Sequence, residues 1–178
     1  LTTSSAASDV YKRQIICAGA WSNNLSKKIG ENFPLDTERG YHVMFDNHGL
    51  INRPIGWSQS GFYLVQLEEG LRAAGTVEIA GLTKPANKKR TQMIENQARK
   101  LLPKLKDVKS TWLGFRPTLP DSLPVIGPSK INKNIIYGFG HQHIGWTLGA
   151  VTGKLINSIC NDRVPNINIE PFSANRFN

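Results

Sequence analysis

No apolar run in the chain approaches the roughly 20 residues needed to cross a bilayer, so no segment reads as a membrane-spanning helix. Cysteine is scarce. Cys17 and Cys160 are the only two among 178 residues, too few for a disulfide scaffold and too far apart for a metal motif. They read as two buried thiols in a reducing compartment. Acidic groups are few, 13 against 22 Lys and Arg, for a formal charge of +9. A secretory leader would begin with a basic stretch followed by an apolar one, and Leu1 to Gln14 has neither. The expected location is the cytoplasm. That opening stretch is small and polar, then turns abruptly into Tyr11-Lys12-Arg13-Gln14. It resembles translated sequencing-adapter read-through. We expect it to be non-native sequence that stays outside the fold.

What is present is ordinary globular material, with enough apolar residues for one domain core or pieces of two. Ile15 to Ala18 reads as a short strand that turns through Gly19-Ala20-Trp21-Ser22 into a helical stretch around Leu25 to Ile29. Between Phe33 and Ile79, short β-prone runs at 41–45, 50–53, 61–65 and 76–79 are separated by Asp, Asn, Ser and Gly turn signals, which predicts an antiparallel meander. Ile135 to Phe139 reads as a further strand. A helix follows from about Ile144 to Ile159, and its small residues Gly149, Ala150 and Gly153 predict close packing against another backbone.

Much of the positive charge sits in one stretch. Lys84 to Lys109 holds nine basic residues against Glu95 and Asp107. Ile94, Ala98, Leu101, Leu102 and Leu105 recur there at helical spacing. The plain reading is an amphipathic helix with a solvated basic face. The sharper readings are an anionic lipid surface or nucleic acid, and the lack of interleaved aromatics counts against base stacking.

Two stretches carry candidate chemistry. In Gly114-Phe115-Arg116-Pro117-Thr118-Leu119-Pro120-Asp121 a lone arginine stands between apolar runs. Its planar fork suits a carboxylate, either of a ligand or of an internal Asp or Glu. In Gly138-Phe139-Gly140-His141-Gln142-His143-Ile144-Gly145-Trp146-Thr147 a strand passes through a turn into a helix start, where free N–H groups and the dipole favour negative charge. His141 and His143 read as turn-stabilising side chains. A metal pair would need a third ligand nearby, and none is expected.

Taken in order, these segments resemble the D-amino-acid oxidase superfamily of FAD enzymes, most closely the D-amino-acid dehydrogenase small-subunit group. GFRPTLPDSLPVIGPS and YGFGHQHIGWTLGAVTGKLI match that group's Gly-x-Arg-Pro and Gly-His-x-x-x-Gly-Trp-Thr segments. IICAGAWS resembles the strand and turn that return toward the flavin. PLDTERGYHVMF and LRAAGTVEIAGL resemble the substrate-domain strands, and PFSANRF the closing segment. The family's GxGxxG turn is absent from the sequence, so the chain reads as a C-terminal piece that on its own should bind FAD weakly or not at all.

The resemblance implies an α+β (α/β) fold. Residues 15–30 and 111–162 would form part of an FAD-binding domain, 31–110 an antiparallel-sheet substrate domain, and 163–178 a C-terminal segment. It implies substrate contacts at Arg116, His143 and Tyr41, with Arg116 on the carboxylate and His42 on the same strand as Tyr41. It implies noncovalent FAD near Gly19, Ala20, Trp21, Gly140, His141, Gly145, Trp146 and Thr147. The implied reaction is oxidation of the Cα–N bond of a small D-amino acid by hydride transfer to flavin. The imino acid then yields a 2-oxo acid and ammonia. Electrons would go to a quinone or the respiratory chain, or to oxygen, with peripheral contact at the cytoplasmic membrane face and no nucleic-acid partner. The alternatives are a glycine- or sarcosine-type oxidase using oxygen, and a non-catalytic basic binding module.

Overall fold

In a computed structural model of the chain, which describes residues 13–177, the strands gather into two sheets. In chain order the elements are β1 (Gln14–Ile16), α1 (Ser22–Ser26), β2 (Asp36–Phe45), β3 (Ile55–Trp57), β4 (Phe62–Leu67), β5 (Gly70–Ile79), α2 (Lys88–Leu101), β6 (Val108–Thr118), β7 (Val125–Pro128), β8 (Ile135–Phe139) and α3 (Gly145–Cys160). One sheet has the order β1-β8-β7 and the other β3-β4-β5-β2-β6. The chain divides into two units, residues 1–36 with 116–178, and residues 37–115.

The first unit is built around β8. Its neighbour β1 runs parallel to it, with Ile15 opposite Ile136, and β7 runs antiparallel on its other side. Alternation along β8 sends its side chains to two different cores. Tyr137 and Phe139 join Phe33, Leu119, Val125 and Ala174 on one face. Phe33 sits edge-on to both rings, with centroids 5.1 and 5.3 Å away. On the other face Ile136 packs with Ile126 and with Leu155 and Ile156 of α3. At Gly138 a side chain would not fit: a Cβ there would lie 2.7 Å from Ile156 Cδ1 and 2.9 Å from Cys17 Sγ. The missing side chain is what lets α3 lie close over the strand.

A buried carboxylate ties the corner after α1 to the turn before β8. Glu31 accepts hydrogen bonds from the Ser129 hydroxyl, from the Tyr137 hydroxyl at 2.6 Å and from the Lys130 N–H at 3.0 Å. Burial alone would raise its pKa, but these donors outweigh that and hold it below the usual carboxylate range. Burial first, and then the proximity to Glu31, raises the pKa of the Tyr137 hydroxyl.

In the second unit, one face of the five-stranded sheet and α2 enclose the core. Tyr41, Val43, Phe45, Phe62, Leu64, Leu71 and Ala73 pack with Ile94 and Ala98 of the helix. The helix shows the 3.6-residue periodicity read from the sequence, and Asn87 caps its start by accepting from the Lys89 N–H. Arg39 is fully buried, with Nε 3.5 Å from the Glu78 carboxylate and Nη2 donating to the Pro85 carbonyl at 2.9 Å.

Several expectations need correction. Arg13 and Gln14 belong to the fold: Gln14 pairs with Ile135, and Arg13 bridges to Asp162 at 2.8 Å. Residues 1–12 lie outside the described residues. The two units divide at 36/37 and 115/116. In the C-terminal segment Ala174 and Phe177 pack on the first unit's core and Arg176 pairs with Asp121 at 2.6 Å. Residues 50–53 form no strand, and β2 lies between β5 and β6 instead of beside β3. Cys17 is exposed, not buried.

Candidate active site

The Gly-rich turn between β8 and α3 forms one wall of a pocket of about 400 Å³. Gly140 takes φ +91°, a left-handed conformation that strains any other residue. A Cβ there would also meet Leu119 Cδ1 at 2.6 Å. The turn is pinned to the segment after Arg116, because the Gln142 N–H donates to the Pro117 carbonyl at 2.9 Å. Gly19, Gly138, Gly140, Gly145 and Gly149 give much of the pocket wall without side chains, and Cys17, Pro117, Phe139, His141, Gln142 and Trp146 complete the lining.

Helix α3 points its N-terminus at this pocket. No side chain caps it. The first N–H groups of a helix have no intrahelical acceptor, so those of Gly145, Trp146 and Thr147 are available to a ligand. Beside them the half-buried His141 ring sets Nε2 2.9 Å from the Thr152 hydroxyl. Burial lowers the His141 pKa, which favours the neutral ring. Partial desolvation at the pocket wall pushes the Cys17 thiol up, although the residue as a whole is exposed.

Arg116 is partly buried near the end of β6, one residue before the pocket-lining Pro117. No carboxylate of the described residues forms an ion pair with it. The internal salt bridge allowed by the sequence is therefore not made among those residues.

Of the residues expected near a flavin, Gly19, Gly140, His141, Gly145 and Trp146 meet at the pocket. Ala20 is buried, Trp21 is 48% exposed and Thr147 is exposed, and none of the three lines it. His143 is exposed. Tyr41 does not present itself to a ligand. Its side chain is buried, its hydroxyl donates to Glu78 at 2.5 Å and it accepts from the Asn87 N–H. Tyr41 packs the second unit's core. Its neighbour His42, on the opposite face of the strand, stacks on Trp112 with centroids 5.1 Å apart. Cys17, Pro117 and Thr152 were not singled out from the sequence. Gly138 was the available signal for Cys17, since a Cβ there would lie 2.9 Å from its sulfur. The packing expected at Gly149 and Gly153 is not made among the described residues, where a Cβ at either position would meet open space.

The pocket suits the flat end of a flavin. Its glycine walls leave room for a planar ring, and an uncapped helix start faces one edge. No second glycine-rich turn for a pyrophosphate occurs in the chain.

Known proteins support the same assignment. Residues 2–159 match the model of the DAO family, described as FAD dependent oxidoreductase. The match begins inside the stretch set apart by its composition. A D-amino-acid oxidase of Bradyrhizobium diazoefficiens is 41% identical over 92% of this chain, and a D-amino acid dehydrogenase of Paramagnetospirillum magneticum 31% over the same share. The chain spans 40% of the length of each. The crystal structure of glycine oxidase from Geobacillus kaustophilus superposes with a TM-score of 0.80 at 22% identity, covering 92% of this chain and 45% of that one, a likeness of fold. Pocket, fold and family match agree, and the chain belongs to the DAO family of FAD-dependent oxidoreductases.

Proposed function

We propose that the protein to which this chain contributes oxidises the Cα–N bond of a small D-amino acid, giving an imino acid that hydrolyses to a 2-oxo acid and ammonia. The observation that carries the reading is Arg116, a partly buried guanidinium without a carboxylate partner among the described residues, next to the pocket-lining Pro117. An arginine so placed has its two-point fork free for the substrate carboxylate. Holding the carboxylate fixes the direction of the Cα–H bond, and orientation of this kind is a main source of rate in hydride transfer.

When bound, FAD supplies the two-electron acceptor. The chain's own part is electrostatic. The N–H groups at the start of α3 would stabilise negative charge that develops at the adjacent edge of the ring. Burial lowers the pKa of His141 there, which favours its neutral form. Noncovalent binding is the reading we adopt, as the family resemblance implies. His143 and Thr147 are kept as weaker contacts that ligand or further chain would have to order.

For the electron acceptor, the higher identity to a protein named D-amino-acid oxidase favours oxygen over a quinone. We place the enzyme in the cytoplasm, with peripheral contact at the cytoplasmic membrane face where a quinone serves instead. A non-catalytic basic binding module does not account for the family match.

The test is Arg116→Lys in the complete enzyme. Lysine keeps the charge and loses the fork. The loss of a charge-assisted hydrogen bond, roughly 1.5–3 kcal/mol, corresponds to one to two orders of magnitude in kcat/KM. Flavin content and Tm should stay near wild type. Normal kinetics with a lowered Tm would remove Arg116 from the active site. Reoxidation of the reduced enzyme by oxygen, compared with a soluble quinone, decides the acceptor.

A further inference from the structure

The five-stranded sheet of the second unit has a face that does not serve the core. Val43, Leu64 and Ala73 belong to the core beside α2, so alternation turns His42, Met44, Tyr63, Val65, Arg72 and Ala74 the other way. Strand register sets these six in two rows. Tyr63, Ala74 and His42 lie side by side across β4, β5 and β2, and Val65, Arg72 and Met44 form the next row. From β6 the Trp112 indole extends the first row, stacked on His42 at 5.1 Å with 16° between the ring planes.

Both exposed aromatic rings of the face sit over a glycine. A Cβ at Gly114 would collide with the Trp112 indole, and one at Gly56 would lie 2.9 Å from the Tyr63 ring. Between Tyr63 and His42 stands only the methyl group of Ala74. The result is a shallow trough floored by Ala74, with aromatic walls on both sides and Arg72 two residues along β5 from the floor. The two rows contain no carboxylate. Arg72 forms no ion pair among the described residues, and its Nε is shut off from water without a hydrogen-bond partner. A buried donor left unpaired is costly, so this guanidinium calls for an acceptor. Its charge reaches His42: burial first and Arg72 second lower the His42 pKa, which favours a neutral ring.

We infer that this face binds the carboxylate of a small organic acid, with Arg72 on the carboxylate and a short carbon chain in the trough over Ala74. The planar fork of a guanidinium matches a carboxylate, and one guanidinium balances one negative charge. Phosphate would call for further cations or a nest of free backbone N–H groups, and strand N–H groups are committed to the ladder. The apolar walls at Tyr63, Ala74 and Trp112 suit a body of a few carbons. The carboxylate has two sources, a free acid or the side chain of an acidic D-amino acid. The second source rests on the function proposed above; the site itself does not.

The experiment is an NMR titration of the 178-residue chain, read at the His42 ring and the Trp112 indole N–H. The probes are propionate and its uncharged match propionamide. Propionate should shift both signals saturably, and propionamide should not. Arg72→Gln should weaken propionate binding about 10- to 100-fold, the worth of a hydrogen bond to a charged group. Arg72→Lys, which keeps the charge and loses the fork, should fall between. Ala74→Leu keeps Arg72 and fills the trough. It should block binding with Tm near wild type, so the loss cannot be ascribed to unfolding. In the complete enzyme, Arg72→Gln assayed with D-glutamate and D-alanine identifies the source. A loss of about 10- to 100-fold in kcat/KM for D-glutamate alone assigns the substrate side chain. Unchanged kinetics on both, with propionate binding lost, assign a free acid. Equal shifts with propionamide, undiminished binding by Arg72→Gln, or tighter binding of inorganic phosphate than of propionate would each overturn the proposal. If the complete enzyme oxidises neither amino acid, the functional reading fails and the titration decides the site by itself.

Discussion

His141 Nε2 lies 2.9 Å from the hydroxyl oxygen of Thr152, so a buried residue nearly two turns into α3 holds a ring that lines the pocket at the helix start. A hydroxyl can donate to Nε2 or accept from it, so the pairing fixes the orientation of the ring and suits either tautomer. Thr152→Val keeps the shape and removes the hydroxyl. It should cost about 1 kcal/mol of stability in urea unfolding and move the NMR shifts of the His141 ring. Thr152→Ser should restore both. Unchanged ring shifts in the valine variant would separate the two residues.

The lowered pKa of His141 has a pH consequence. Its folded value lies below the unfolded value of about 6.5, so as pH falls the unfolded chain takes up the proton first. The contribution of the neutral ring is complete above that value and is lost progressively as pH drops toward the folded one. NMR titration of the His141 ring should give a midpoint below the value of about 6.5 for a free imidazole.

Glu31 has the opposite requirement. Its carboxylate serves three donors, and its folded pKa is depressed. The stabilisation is present above the unfolded value and disappears as pH falls through the folded one. Glu31→Gln should cost roughly 1.5–3 kcal/mol in urea unfolding at neutral pH, the scale of a hydrogen bond to a charged group. The difference from wild type should shrink in acid.

Gly140→Ala should lose on two counts. The backbone at φ +91° disfavours a side chain, and the new methyl would press on Leu119. A cost of about 1–3 kcal/mol is expected in urea unfolding. Gly145→Ala, where a Cβ has its nearest contact at 3.5 Å, should be close to neutral.

In the second unit, burial first and the nearby Arg72 second lower the pKa of His42, which stacks on Trp112. Trp112→Ala should return the ring to water and move its pKa up toward the ordinary value, read by NMR. No change would mean that the stacked indole does not shield it.

The helices were legible because their periodicity is local. Ile94 and Ala98 recur at i, i+4 and are the buried pair of α2. Ile135 to Phe139 was legible as a strand because the run is apolar and ends at a glycine. The strand expected at 50–53 failed because apolar pairs in a loop can pack on a core without joining a sheet: Leu50 and Ile51 do so. Whether Tyr41 packs or meets a ligand was not legible for a related reason. Alternation along β2 says that 41 and 42 face opposite ways, but not which face meets the core.

The sequence alone determined the two long helices and the strand at 135–139, where the turn into α3 lies, that charge concentrates in one helix, and, through its ordered motifs, the family. These properties depend on neighbours a few residues apart. Tertiary structure decided the rest. Only folding brings Cys17 beside Gly138, ties Glu31 to Tyr137 across 106 positions, and leaves Arg116 without a carboxylate among the described residues while Arg39 and Arg176 find theirs. The physical reason is that burial and pairing depend on distance in space. A guanidinium reads the same in sequence whether a carboxylate waits for it or not.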